Sequence, residues 1–300
     1  MTTEIDAAWV FRRYQEIRSR LPVATFPVAS TGYRSLAAVT DDFDVFVFDS
    51  FGVLNVGEAA IGGAAARISA LRAAGKRVFV LTNAASHPLA QIRRKYLTLG
   101  FNFDDREIIS SRAVLYQALR AYDAGMLWAV VAPESAGIAE LPCRTQPFDA
   151  PGLEEVDGFV LLSSSGWTAE RQTVLEQALA SNPRPVLVGN PDLVAPREHG
   201  FSRQAGYFAH KLADELGIQP AFFGKPFDNA FALLLSALPE NIDRRRVLMI
   251  GDTLHTDILG AAAASLSTAL VTADGVLRGL DVERCIAESG IRPDIIVPRV

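Results

Sequence analysis

An α/β fold, built on a doubly wound parallel sheet and interrupted by a second α/β unit, is what the sequence predicts, and three observations lead there. Unbroken apolar runs rich in β-branched and aromatic residues, at 45–48, 78–81 and 247–250, have the composition of strands buried on both faces, as in the middle of a parallel sheet. Between the first runs lie helix-length stretches closed by Gly75 and Gly100, the alternation of a strand, helix, strand crossover. The alternation restarts near Ser110 and runs to Gly217 before the first pattern resumes at 222–224. One unit is therefore expected inside the other: a Rossmann-like core from 1–109 and 218–300, and an inserted α/β domain over 110–217.

Each element has its own signal. Val10, Tyr14 and Ile17 recur at helical spacing among charges over 7–20, and Leu21 and Pro22 end the pattern, so an amphipathic helix is expected to cover a flank of the sheet. Residues 30–32 read as a loop, and the run 45–48 then delivers Asp49. Gly62 and Gly63 lead into a helix over 64–74, and the strand 78–81 follows. A crossover of this kind sets two strands parallel and adjacent, which brings Asp49 and Thr82 to one edge of the sheet. After a helix over 89–99, the inserted unit shows helices at 112–121 and 168–180, strands at 127–131, 159–162 and 186–188, and loops across 142–152. Helix 228–238, strand 247–250, helix 257–264 and strand 268–271 complete the core.

Composition narrows the class of function. A 300-residue chain with 49% hydrophobic residues can bury the core an enzyme needs. Its net charge of -5 is spread without basic blocks, which argues against nucleic acid or a membrane surface as partner. Cys143 and Cys285 lack motif spacing and read as reduced thiols. Residues 1–6 lack the basic start and apolar run of a signal peptide, and no segment reaches the roughly 18 apolar residues of a membrane span, so a soluble cytoplasmic protein is expected.

The chemistry is expected around Asp49. Ligands of open α/β sheets meet the carboxyl ends of the strands, and Gly52 lets the backbone turn sharply beside that carboxylate. Taken alone, an acidic residue there also serves as a turn cap. Three further stretches follow in order: Leu81-Thr82-Asn83, Gly224-Lys225-Pro226, and Gly251-Asp252-Thr253-Leu254-His255-Thr256-Asp257. Together the four resemble the motifs of the haloacid dehalogenase superfamily, whose members are mostly Mg²⁺-dependent phosphatases with an aspartate nucleophile. The insertion lies between the second and third motifs and carries Gly189-Asn190-Pro191-Asp192, with Pro196 shortly after. Both features are similar to subfamily IIA, the branch of 4-nitrophenylphosphatases and N-acetylglucosamine-phosphate phosphatases with a large α/β cap. The resemblance spans 45–271.

That resemblance implies Mg²⁺ held by Asp49, Asp252 and the backbone carbonyl of Phe51, with Asp257 in support. It implies Asp49 as nucleophile, Lys225 neutralising the phosphate, and Thr82 and Asn83 holding phosphoryl oxygens. Asn190, Asp192, Arg197 and Arg203 are candidates to meet a small phosphorylated metabolite, and a homodimer is compatible with the sequence. His255 is expected to be structural, as are His87, His199 and His210. Three departures stand out: Gly189 replaces a threonine, residues 203–206 lack the usual glycine-rich loop, and Phe51 occupies the place of a second aspartate. That aspartate would protonate a leaving alkoxide and later activate water, a role worth about 10²–10⁴-fold. Phe51 leaves open a slow or leaving-group-limited phosphatase, a binder of phosphometabolites without turnover, or a carbon–halogen hydrolase, since the superfamily's dehalogenases place an aromatic residue there.

Overall fold

Two wholly parallel sheets carry the chain in the computed structural model, which describes residues 5–300. The first has seven strands in the order Thr31–Gly32, Ile295–Val297, Ser267–Val271, Val247–Gly251, Val45–Phe48, Arg77–Thr82, Ile108–Ser110. Val45, Phe46, Val47 and Phe48 are all 0% exposed, so this strand is covered on both faces as its composition requires. Phe46, Phe48, Val80 and Ile250 pack against Ile68, Leu71, Ile92 and Tyr96 on one side. Val45, Val47, Leu81 and Met249 meet Ala230, Phe231, Leu234 and Ala261 on the other. The alternation of side chains along each strand thus feeds two helical layers, the doubly wound, Rossmann-like arrangement.

The second sheet has five strands in the order Ala221–Phe222, Val186–Val188, Gly158–Leu161, Leu127–Val131, Arg144–Pro147. Two of these strands correct the expected boundaries. Ala221–Phe222, placed by the sequence where the core resumes, pairs with Val186–Val188 instead, so the second sheet runs past 217. Arg144–Pro147 lies in the stretch expected to be loop; it is an edge strand, where a proline's missing N–H costs no ladder bond. Thr31–Gly32, also expected to be loop, pairs with Ile295 and Ile296, and Ile108–Ser110 and Ile295–Val297 join the first sheet without having been foreseen. All are two to four residues long at or near sheet edges, too short to show a period. The helix expected from 257 starts as a π turn, Leu254–Ile258, and continues as Leu259–Ala263.

Residues 1–4, part of the stretch read as lacking a signal peptide, lie outside the described residues. No described helix is long and apolar enough to cross a membrane. Cys143 and Cys285 are both free.

The N-terminal helix, Ala7–Glu16, does more than cover a flank. Val10, Phe11, Tyr14 and Ile17 pack with Leu254, Ile258 and Leu259 of the core and with Leu193 and Val194 of the inserted unit. Tyr14 Oη accepts from Leu193 N at 3.2 Å, while Arg13 and Arg20 pair with Asp214 on the helix Ala205–Leu216. His255 is buried in this seam, its ring stacked on Tyr14 at 5.1 Å and its Nε2 2.6 Å from Gln15 Oε1. Burial lowers the imidazole from 6.5 to about 3, so it stays neutral in the native state.

A depressed histidine costs stability wherever the unfolded chain takes up a proton that the native state refuses. For His255 that window opens as pH falls below 6.5 and closes near 3. In His255→Gln the group is gone and all other titrations cancel in the difference, so the stability gap to wild type should narrow by about 1.4 kcal/mol per pH unit in that window. Urea denaturation at pH 7 and pH 5 checks this; a gap that does not change with pH rules it out.

Candidate active site

Asp49 leaves the sheet at the carboxyl end of its strand, its N–H donating to Ile250 O at 2.8 Å. Gly52 turns the chain at φ +83°, and a Cβ there would lie 2.3 Å from Asp252 Oδ2, so only glycine allows the two strand ends to approach. Thr82 ends the neighbouring strand Arg77–Thr82, and Asp252 directly follows the neighbouring strand Val247–Gly251, at the same edge. Lys225 reaches in from the chain returning to the core. It is 1% exposed, which excludes a surface charge, and its Nζ lies 2.5 Å from Asp49 Oδ1 and 2.7 Å from Asp257 Oδ1.

Carboxylate oxygens of Asp49, Asp252 and Asp257 all fall within 4.8 Å of one another. Asp257 thus stands closer to the centre than its supporting place implied, yet both its oxygens are engaged, one by Lys225 and one by Thr253 N at 3.1 Å. Asp252 accepts from Val276 N at 2.7 Å and Thr253 Oγ1 at 2.9 Å. Burial, then repulsion from Asp257, pushes Asp252 up to about 7. Burial alone would lower the Lys225 ammonium, but Asp257, Asp49 and Asp192 overcome it and hold the lysine protonated.

Two expected ligand contacts become structural ones. Asn83 Nδ2 donates to Asp192 Oδ1 at 2.8 Å and to Lys225 O at 2.9 Å, while its Oδ1 accepts from Lys225 N at 2.8 Å. Its carboxamide is committed to placing Lys225 and Asp192, not to a phosphate. Asn190 is spent likewise, accepting from Asp192 N at 3.0 Å and donating to Gln204 at 3.1 Å. Asp192, pushed up to about 6 by burial, therefore ties the inserted unit to the second motif.

Above the carboxylates opens a cavity of about 520 Å³, of a size suited to a small metabolite. Asp49, Phe51, Thr82, Asn190, Asp192, Arg197 and Arg203 all border it. Arg197 and Arg203 come from the antiparallel pair Val194–Pro196 and Phe201–Arg203 and its connection. His255 does not border the cavity. Lys95 and Tyr96 do, and sequence reasoning missed both. Tyr96 is buried, packed with Phe48, Ile92 and Phe103. The one available signal was the phase of the helix Leu89–Thr98, where Ile92 and Tyr96 share the inward face and Lys95 stands at its rim.

A parallel α/β sheet whose strand ends gather carboxylates around one buried lysine, under a cavity roofed by an inserted α/β unit, defines a hydrolase of phosphatase type. The comparisons agree. The chain matches the haloacid dehalogenase-like hydrolase family over residues 46–140 and a second, HAD-hydrolase-like family over 222–300. It is 30% identical over 288 residues to a glycerol-3-phosphate phosphatase of Gallus gallus, covering 88% of this chain and 91% of that protein. A 4-nitrophenylphosphatase of Schizosaccharomyces pombe is 24% identical over 256 residues, 79% of this chain and 85% of its own. Among solved structures, a possible sugar phosphatase of the HAD superfamily from Cytophaga hutchinsonii superposes with a TM-score of 0.80 at 27% identity, covering 90% of this chain and 98% of that one. The chain belongs to the haloacid dehalogenase-like hydrolases.

Proposed function

We propose that the chain hydrolyses small phosphate monoesters with Mg²⁺ bound, through an aspartyl-phosphate on Asp49, and that residues 110–217 together with the edge strand to 222 act as the cap that chooses the ester. The observation that carries this reading is Lys225, buried between Asp257 and Asp49, the latter a residue that borders the cavity. Four carboxylates, Asp49, Asp192, Asp252 and Asp257, surround that one ammonium, and burial raises Asp49 well above its ordinary value. Such a surplus of buried hard oxygen donors suits a small divalent cation. Mg²⁺ held by Asp49, Asp252 and the carbonyl of Phe51 would offset the charge of carboxylate and phosphate together.

In this reading the ionised Asp49 attacks phosphorus and the ester P–O bond breaks. Lys225 opposes the effect of burial on Asp49 and offsets phosphoryl charge, a bound Mg²⁺ would favour the carboxylate further, and the Thr82 hydroxyl donates to a phosphoryl oxygen. Water then attacks the phosphorus of the aspartyl-phosphate, releasing phosphate and restoring Asp49. Phe51 cannot supply the leaving oxygen with a proton, so groups that depart as stable anions are favoured. Phosphate release from a panel of monoesters should require Mg²⁺ and stop with chelator, and release indifferent to chelator sinks the metal-dependent route.

Phe51 also favours a second reading, binding without turnover. Ligand-induced thermal stabilisation with no phosphate released would select it. Halide release from a haloacid would instead select the dehalogenase chemistry that an aromatic residue at 51 permits.

A further inference from the structure

Three cations, Lys95, Arg197 and Arg203, border the cavity in a chain that is acidic as a whole. Phe51 carries two cations on its ring: Lys95 Nζ stands 4.8 Å from the centroid and the Arg197 guanidinium 5.2 Å. Where a second aspartate would bring a negative charge, the ring holds both cations without neutralising either. Lys95 shares a 2.8 Å pair with Glu58, whose side chain is 76% exposed and so contributes little. Arg197 bonds through Nε to Ser202 Oγ at 2.8 Å, and Arg203 lies 5.1 Å over Tyr207 and 6.0 Å over Trp9 of the N-terminal helix. Neither arginine has a carboxylate partner among the described residues, and Arg203 Nε is buried without a hydrogen bond. A guanidinium laid on an aromatic face keeps its N–H edge free for a planar or tetrahedral anion.

The three cations come from two elements, Lys95 from the helix Leu89–Thr98 and the arginines from the two ends of the Val194–Arg203 hairpin, and all border the one cavity. With the phosphoryl group at Asp49, Thr82 and Lys225, the remainder of the ester extends past Phe51 toward them. We propose that the preferred substrates are phosphate esters bearing a second anionic group, a carboxylate or a second phosphate, received by Lys95, Arg197 and Arg203, with Phe51 as the aromatic floor that holds the first two. This rests on the phosphatase reading above and names the class of ester it acts on.

The test compares matched pairs on the Mg²⁺-loaded full chain, with 4-nitrophenyl phosphate as a control for turnover itself. 3-Phosphoglycerate against glycerol 3-phosphate tests a carboxylate, and fructose 1,6-bisphosphate against fructose 6-phosphate tests a second phosphate. In at least one pair the more anionic ester should lead in kcat/KM by about tenfold or more, the scale of a charge-assisted hydrogen bond, and Arg197→Gln and Arg203→Gln should each collapse that ratio. Lys95→Gln, at a partly exposed helix rim, provides a variant at less risk to folding than either arginine change. Ratios near one in wild type, or ratios that survive all three substitutions, overturn the inference while leaving the phosphatase reading intact. Uniform loss on every ester, with ratios unchanged, shows that the cations hold the phosphoryl group itself and also overturns it. If even 4-nitrophenyl phosphate is not turned over, the phosphatase reading fails, and thermal stabilisation by the same pairs decides the inference: equal shifts within each pair refute it.

Discussion

Asp49→Asn should lower kcat by about 10⁴-fold or more on every phosphate ester, because the carboxylate oxygen that attacks phosphorus is gone and an amide is no substitute. The fold should survive. Asp49 is one of four carboxylates around a single ammonium, and Lys225 keeps its 2.7 Å bond to Asp257, so removing one negative charge relieves repulsion in a buried cluster. The melting temperature of the metal-free protein should therefore stay level or rise while activity disappears. This combination separates loss of chemistry from loss of structure, and activity within tenfold of wild type would remove Asp49 from the role of nucleophile.

Phe51→Asp should raise turnover of alkyl phosphates by about tenfold to a hundredfold, within the range of general acid–base catalysis, and that of 4-nitrophenyl phosphate by less. A nitrophenolate leaves without a proton, whereas an alkoxide does not. The surroundings refine this result. Lys95 and Arg197 stand about the ring at 4.8 and 5.2 Å, and beside a new carboxylate they favour its ionised form. The base half of the role, activating water against the aspartyl-phosphate, should benefit first, and the acid half should gain as pH is lowered. A variant that folds, binds Mg²⁺ and gains nothing on any ester would show that the missing acid is not the bottleneck. The binding reading would then become the better account. His255 offers no rescue, since it is buried against Tyr14 and Gln15, away from the cavity.

The sequence by itself determined the parallel sheets and the meeting of the main motifs. Runs such as 45–48 are apolar at every position, which suits only strands covered on both faces, and parallel crossovers then bring Asp49, Thr82 and Asp252 to one edge. Lys225 was legible from its motif, although its burial between two carboxylates was not. What only the tertiary structure decided is everything that depends on a partner distant in the chain. Asn83 read as a phosphate ligand, yet its amide is taken by Asp192 and Lys225, 109 and 142 residues away. Edge strands such as Ala221–Phe222 are too short to carry a period, so their sheet is set by the neighbour that offers a free ladder. Phe51 read as the loss of an acid. Its other property, a ring with one cation from a core helix and another from the inserted hairpin, exists only because folding brings Lys95 and Arg197 together. Periodicity reports which face of an element is buried, and packing alone decides what that face meets.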